Sequence, residues 1–515
     1  MCGRTGTEVS VMRITNKMMT NNMLYNINGN KNSLSTLEQQ YTTGLKIQRP
    51  SEDPIVAVRA LKLRTNLSEL NQYYEKNIPD AMAWMDVTES ALKVVNSILT
   101  EVHTYCVQGS SDTLTAEDRN SIVKNLTELK QQVYQEGDTN YAGRYVFTGY
   151  KTNTSLIFDE AQATEKYQIT EKLGSEKIDI IKKAKNECTL EQYNPEDPAS
   201  VDLSEKPNMI NVYRMRLAYG TLDAPEDGGM IRVRFPQVDD DGEVTYDEFN
   251  DGSIVSMLSS DENAYEPEEG TVHYLSDTGE LVMAADVYEE WRHMENIEVT
   301  YEKTKFSKND LKPEHYFDCT VTDLTDDTKE PVVYTKSSQE IAYEVNFNQK
   351  LVINTQGSDA IQHDIGRTID EVLNAVNDVI AVEEKIAEID KMLKDKNITA
   401  DQESKLKEMK ELMETELTLK TEVMQDTFGG ALTKIEKQQD VVNVAVADLG
   451  SRYVRLKLTE SRLGDEQTDF EDLLSSNEDV DMVDTIIKYQ SMQSIYNASL
   501  SAAAKSVQTT LLDFL

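Results

Sequence analysis

Residues 486–515 read IIKYQSMQSIYNASLSAAAKSVQTTLLDFL, and one stripe of them is apolar: Ile486, Tyr489, Tyr496, Leu500, Ala503, Val507, Leu511 and Phe514. The steps between them are 3, 7, 4, 3, 4, 4 and 3 residues, the spacing of a helical seam of coiled-coil type. The other positions include Ala498, Ser499, Ser501, Ala502, Ser506, Thr509 and Thr510, all small and uncharged. From Tyr489 onward the only side chains charged at neutral pH are Lys505 and Asp513. An exposed helix is normally laced with charge on its outer face, so this one is expected to be enclosed on several sides.

The opposite end carries a second seam. Between Asn21 and Lys46 the apolar residues Leu24, Ile27, Leu34, Leu37 and Tyr41 recur at steps of 3, 7, 3 and 4. Residues 1–50 hold six basic and two acidic side chains, whereas residues 221–300 hold 22 acidic and three basic ones, in a chain of net charge −40. Termini fray unless something ties them down. Two charge-poor helical ends around an acidic middle predict that the ends pair with each other and with neighbouring copies, holding the acidic region outward. A monomer whose terminal helices simply pack together is the alternative. Met18, Met19 and Met23 read as packing residues. Met12 begins a segment that looks like a natural start; a short disordered arm is the other reading of residues 1–11.

Between the two ends the texture changes twice. Arg49-Pro50-Ser51-Glu52-Asp53-Pro54 breaks the first helix, and Ser51 or Asp53 can cap the next. A helical pattern runs from about Ile55 to Gly109, with a kink or interruption expected at Pro79. Another runs from Thr115 to Glu136 behind a capping box, Thr115 to Asp118. From Gly143 to about Asn354 the pattern is β: Met230–Phe235, Ile254–Leu258, Val272–Leu275, Ile297–Tyr301, Val332–Tyr334 and Ile341–Phe347 are short, rich in branched residues and separated by Asp-Gly turns. Helix returns after Gly357, folds back as a hairpin around Lys394–Asp401, and meets a joint at Gly429-Gly430. The expected fold is α+β: a long coiled-coil-like helical bundle formed by the N- and C-terminal segments, with an inserted β-rich central domain. Its parts are residues 1–50 with 476–515 as terminal assembly region, 51–155 with 358–475 as helical bundle (including an inserted hairpin at about 384–423), and 156–357 as acidic β-rich outer domain.

The charge balance argues against nucleic acid and against anionic membranes as partners. Hydrophobic residues make up 39% and aromatics 7%, enough for lean aliphatic cores. Four scattered cysteines form neither a disulfide framework nor a zinc pattern. No stretch resembles a secretory signal or the roughly 20 apolar residues of a membrane span. The nucleotide-binding, serine-hydrolase and zinc-protease motifs are absent, the five histidines share no metal-ligand spacing, and no cofactor is expected. Gln237 to Glu248 partly fits a calcium loop, but with Gln at its first position and among strands; an acidic β-turn is the better reading.

Several motifs, in order, resemble one family. Met12-Arg-Ile-Thr-Asn16, Arg49 to Pro54, Asn77, Glu89-Ser-Ala-Leu92 and Gly143-Arg-Tyr-Val-Phe-Thr-Gly-Tyr-Lys-Thr152 are similar to the N-terminal pattern of hook-associated protein 3, the hook–filament junction family of the flagellin superfamily. Ala447-Asp-Leu-Gly-Ser-Arg452, Asn477 to Asp481 and Ser499 to Leu515 are similar to its C-terminal pattern. Together they span about the first 155 and last 90 residues. A flagellin would carry an NGxxLL-like segment where Val146-Phe-Thr-Gly149 stands, hook-associated protein 1 an early Asn-rich motif, and the filament cap lacks this N-terminal pattern. The resemblance implies a structural, non-enzymatic subunit exported unfolded by the flagellar type III apparatus, with a cytoplasmic chaperone on the C-terminal helix. Outside the cell its terminal helices would pack into an inner tube at the hook–filament junction, beside hook-associated protein 1 and flagellin. A filament flagellin, and a secreted adhesin or enzyme acting through the central domain, are the competing readings.

Overall fold

The computed structural model describes residues 16–512 except 112–114, 191–192, 198–199, 201–202, 239–243, 262, 327 and 396–397. Met12, Cys2, Phe514 and the acidic turn of the calcium-like stretch lie outside the described residues, as do the side chains of Val507 and Leu511. The described residues separate into two compact units. One takes in residues up to Pro79, Glu344–Gln349 and those from Leu456 on; the other takes in Asp80–Tyr343 and Lys350–Arg455.

The first half of the helical region is α1 (Asn16–Thr43), α2 (Pro54–Gln72), α3 (Ile78–Gly109) and α4 (Ala116–Glu136). Of the two candidate caps before α2, Asp53 performs the role: its Oδ1 accepts from the N–H groups of Ile55 (3.0 Å) and Val56 (3.2 Å), with Pro54 at the first helical position. The interruption expected at Pro79 is a π turn over Tyr73–Asn77, closed by the N–H of Ile78 donating to the carbonyl of Tyr73. Proline supplies no N–H to the preceding turn, and one extra residue per turn absorbs the mismatch. The capping box stands: Asp118 N–H donates to Thr115 Oγ1 (3.3 Å) and Thr115 N–H to Asp118 Oδ2 (3.1 Å).

After a β1 (Asn140–Tyr141) and β2 (Arg144–Tyr145) hairpin, turned by Ala142 and Gly143 at positive φ, the chain builds two sheets. The six-stranded one comprises β3 (Glu165–Leu173), β6 (Ile231–Val238), β7 (Val244–Glu248), β11 (Ile297–Lys303), β12 (Asp318–Asp323) and β13 (Val332–Tyr334), in the order β13-β12-β3-β11-β6-β7. The five-stranded one comprises β4 (Ile178–Lys185), β5 (Asn208–Arg216), β8 (Ile254–Met257), β9 (Val272–Leu275) and β10 (Glu280–Met283), in the order β4-β5-β10-β9-β8, with β8 parallel to β9. Ile169, Val233 and Tyr301 of the first sheet share one buried core with Met215, Tyr274 and Leu281 of the second. The short α5 (Ala285–Trp291) inserts Trp291 into it, edge-on to Phe235 and Phe249. A last hairpin, β14 (Ala342–Asn346) and β15 (Gln349–Val352), ends the β region.

The returning helices are a single-turn α6 (Gly357–Ala360), α7 (His363–Met392), α8 (Ala400–Glu478) and α9 (Met482–Leu512). In the second unit α7 runs antiparallel to α4, with Lys130 on Asp370 (2.7 Å) and Arg119 on Glu383. Likewise α8 runs antiparallel to α3, with Asn96 on Asn443 (3.1 Å) and Gln439 on Thr100 (3.0 Å). The joint expected at Gly429-Gly430 does not exist, because α8 passes through both glycines without a break. A helical glycine costs about 1 kcal/mol against alanine, and the flanking buried Phe428 and Ala431 hold the turn in place. The hairpin of 384–423 is likewise built from uninterrupted extensions of α7 and α8. Its core of Val382, Ile389, Leu406, Met409 and Met413 also covers Cys188 from the β4–β5 connection. There Glu416, fully buried, accepts from Cys188 N–H (3.1 Å) and pairs with Lys420 (3.1 Å).

A buried ionic network fastens the five-stranded sheet to α7 and α8. Arg214 of β5 reaches Glu280 (2.6 Å) and Glu371, Arg216 reaches Glu371 (3.0 Å), and Lys434 bridges Asp179 (2.7 Å) and Glu371 (3.1 Å). Burial pushes the Glu371 carboxyl up, but Arg214, Arg216 and Lys434 together pull it down to about 2.

Candidate assembly interface

In the first unit α1 and α9 pair antiparallel. Asn30 Nδ2 donates to Ser499 Oγ (3.0 Å), and the rings of Tyr41 and Tyr489 stack at 6.1 Å between centroids. The pairing is locked where the chain leaves one helix and enters the other. Lys46 N–H donates to Glu478 O (2.6 Å), Val480 N–H donates to Gly44 O (2.8 Å), and Leu45 and Asp479 form a β-bridge. Gly44 permits the turn because its φ is +75°. Around this lock Lys46 Nζ donates to Ser476 O (2.5 Å), Arg64 pairs with Glu478 (2.6 Å), and Asn477 Nδ2 donates to Val56 O (3.1 Å). The Arg49–Pro54 breaker and the acidic 475–481 stretch are thus two sides of one corner. The Lys488 ammonium, hydrogen-bonded to Asp484 (2.6 Å), is held above its ordinary value by that bond.

The two seams meet, but the pair does not bury them. Ile27 is buried; Leu34, Leu37, Ile486, Tyr489, Tyr496 and Ala503 are half-buried; Leu24, Tyr41 and Leu500 are exposed. The methionines expected to pack do so only in part: Met23 is half-buried, whereas Met18 and Met19 are exposed. Two helices have only one mutual face, and a stripe wider than that face stays open. Sequence reasoning also passed over apolar residues off the seams. Tyr25 is 79% exposed, Val483 69% and Ile487 60%, and Ile55, Val58 and Leu61 of α2 are as open. For α1 and α9 the signal was present: apolar side chains off the seam of helices with few charges.

Comparison with known proteins places the first of these helices. Residues 14–152 match the family model described as the bacterial flagellin N-terminal helical region. This stretch is flagellin-like. A protein named flagellin, from Clostridium tyrobutyricum, is 32% identical over 128 residues, 25% of this chain and 34% of that one. Flagellar hook-associated protein 3 of Salmonella typhimurium strain LT2 is 30% identical over 169 residues, 33% of this chain and 52% of that one. The chain thus spans about half or less of the length of these curated relatives. The solved structure of a putative flagellar hook-associated protein from Vibrio parahaemolyticus aligns over 83% of this chain and 100% of that one, at 11% identity and a TM-score of 0.35. Within the flagellin-like region lie α1 to α4 and the β1–β2 hairpin, including the Arg49–Pro54 corner.

Among the described residues no group of three or more His, Cys, Asp or Glu is placed to hold a metal ion, and no helix is long and apolar enough to cross a membrane. Cys106, Cys188 and Cys319 are buried free thiols.

Proposed function

We propose that this chain is a structural component of the bacterial flagellum, an adaptor between hook and filament that self-assembles through the paired terminal helices α1 and α9. The observation that carries this reading is the unfinished burial of that pair: a locked antiparallel pair whose apolar side chains remain open on the far faces. Contiguous apolar surface of this kind marks an interaction site, and further copies of the same pair are its natural cover. The flagellin-like region and the relative named hook-associated protein 3 support the same reading. On it, the subunit works outside the cell at the hook–filament junction and has no enzymatic role. Its neighbours are hook-associated protein 1 and flagellin, and a cytoplasmic chaperone covers α9 before export. The acidic β region, expected at 156–357, faces water, where its charge keeps neighbours from associating non-specifically.

A filament flagellin is the second reading, favoured by the 32% identity to a protein of that name. Immunogold electron microscopy of purified flagella, with an antibody against residues 156–360, separates the two. A single labelled band between hook and filament is the expected result. Label along the whole filament makes the chain a flagellin, and unlabelled flagella return the question to an adhesin or enzyme carried by the central domain.

A further inference from the structure

The second unit contains a polar cleft of about 1190 Å³ walled by β4, β5, α4, α7 and α8. Its lining has nine Lys or Arg side chains against eight Asp or Glu, in a chain whose totals are 52 and 92. The balance of charge therefore reverses here, and low-dielectric walls focus the field of the excess. Most of these bases are answered: Lys130 by Asp370, Lys182 by Glu422 and Asp426, and Arg214, Arg216 and Lys434 by the network around Glu371. Lys183 lies over the ring of Tyr265 (4.8 Å), and the other three, Lys303, Lys305 and Arg367, have no carboxylate at ion-pairing distance among the described residues.

Two of these three are desolvated. Lys303 is 3% exposed, and its Nζ donates only to main-chain carbonyls, Gly220 O (2.6 Å) and Thr221 O (3.0 Å). Burial pushes it down to about 8 against the more distant pull of Asp310 and Asp223. Arg367 Nη2 donates to Thr278 O (2.6 Å) and Gly279 O (3.3 Å), while its Nε is buried with no hydrogen-bond partner. A Cβ on Gly220 would stand 3.0 Å from Arg367 Nη1, so both cations touch one residue. His363 lies one turn before Arg367 on the same face of α7. Its ring packs edge-on against Tyr219 and Tyr316, is 8% exposed, and leaves Nε2 buried without a partner. Burial keeps it neutral, its pKa lowered to about 3. His363 is also the first residue of a 30-residue helix whose N-cap, Gln362, makes no side-chain cap. Buried polar atoms are as a rule hydrogen-bonded, and a helix start attracts negative charge, here supplied in part by Asp364 of the first turn, which is itself paired with Lys177.

We infer that this end of the cleft binds a small oxyanion, a phosphate or a carboxylate group, held by Arg367 and Lys303 with His363 and the start of α7. The guanidinium fork suits either group. Lys305, exposed at the cleft wall, attracts the anion, and the carboxyl of Asp310, acting on Lys303 from the same wall, opposes it.

The test is isothermal titration calorimetry of the full chain with inorganic phosphate, and separately with citrate, at fixed ionic strength in chloride. The expected result is saturable binding of one anion per chain. Binding of phosphate alone or of citrate alone assigns the group. Arg367→Gln should weaken binding about tenfold or more, Lys305→Gln about threefold, and Asp310→Asn should tighten it. Should Arg367→Gln fail to fold, the other two substitutions still decide, because they move affinity in opposite directions. Absence of saturable heat with both anions, or one affinity shared by all variants, overturns the assignment.

Discussion

The pairs α4/α7 and α1/α9 are both antiparallel, yet they are finished to different degrees. In α4/α7, Ile122, Leu126 and Val133 face a helix that buries Ile365, Ile369, Val372, Val376 and Val379, with Lys130 and Asp370 closing the rim. In α1/α9, Ile27 is the one seam side chain counted as buried among those described, and Leu24, Tyr41 and Leu500 stay open. Both seams look alike in sequence. The difference is what surrounds them: α7 also packs on a β-sheet and its ionic network, which cover its remaining apolar side chains, and the face it leaves open is largely polar (Asn374, Asn377, Asp378). A helix pair with covered faces is complete within one chain. A pair with open apolar faces is complete only when something else covers it.

The largest expected effect breaks this comparison at α9. Leu500→Asp places a charge on the open face, where it costs the isolated chain within about 0.5 kcal/mol. Buried in an assembly, the same charge is prohibitive. Polymerisation followed by sedimentation and electron microscopy should fall to nothing while circular dichroism is unchanged. Normal filament attachment in this variant removes the open face from the assembly reading.

Trp291→Ala tests the finished side. Trp291 is fully buried, and its truncation should cost about 3–5 kcal/mol, seen as a lowered midpoint in urea. The α1/α9 pair should keep its assembly competence at temperatures where the core remains folded.

Glu371→Gln leaves Arg214, Arg216 and Lys434 with fewer partners and should cost about 3 kcal/mol. The wild type adds a pH signature. The Glu371 carboxyl is lowered from 4.5 to about 2 by those three cations, against burial. Its ionised form therefore stabilises the fold fully above pH 4.5, and that stability is lost as pH falls from there toward 2, on the order of 3 kcal/mol. Denaturant midpoints across this window should slope in the wild type and flatten in Glu371→Gln. Equal slopes would show that the network is not what fastens sheet to helix.

The smallest effect sharpens the account of α8. A Cβ on Gly429 meets nothing within 4 Å, so Gly429→Ala should raise stability by about 0.5–1 kcal/mol in thermal melts. Destabilisation would mean that the glycine pair bends or opens in function.

Two of the strands hidden from sequence reading, β3 and β5, share a cause. β3 turns Tyr167, Ile169 and Glu171 inward, and β5 turns Val212 and Arg214 to buried positions; a charge in the alternating register erases the apolar pattern. Only the fold supplies their partners. Glu171 accepts from Ala218 N–H (2.8 Å) and Tyr301 OH, and burial raises its carboxyl to about 7. β4 and β12 were missed because few of their side chains are buried at all. The cleft at His363 and Arg367 had no linear signal, since its cations come from β11 and α7, far apart in the chain.

The sequence by itself determined the two terminal seams, the Asp53 and Thr115 caps, the breaker after α1 and the change from helix to strand and back. Each of these depends on residues within a turn or two of one another. Only the tertiary structure decided which strands share a sheet, that α8 runs unbroken through Gly429-Gly430, where the buried charges find partners, and which apolar faces stay open. Those outcomes depend on which distant segments come together to exclude water.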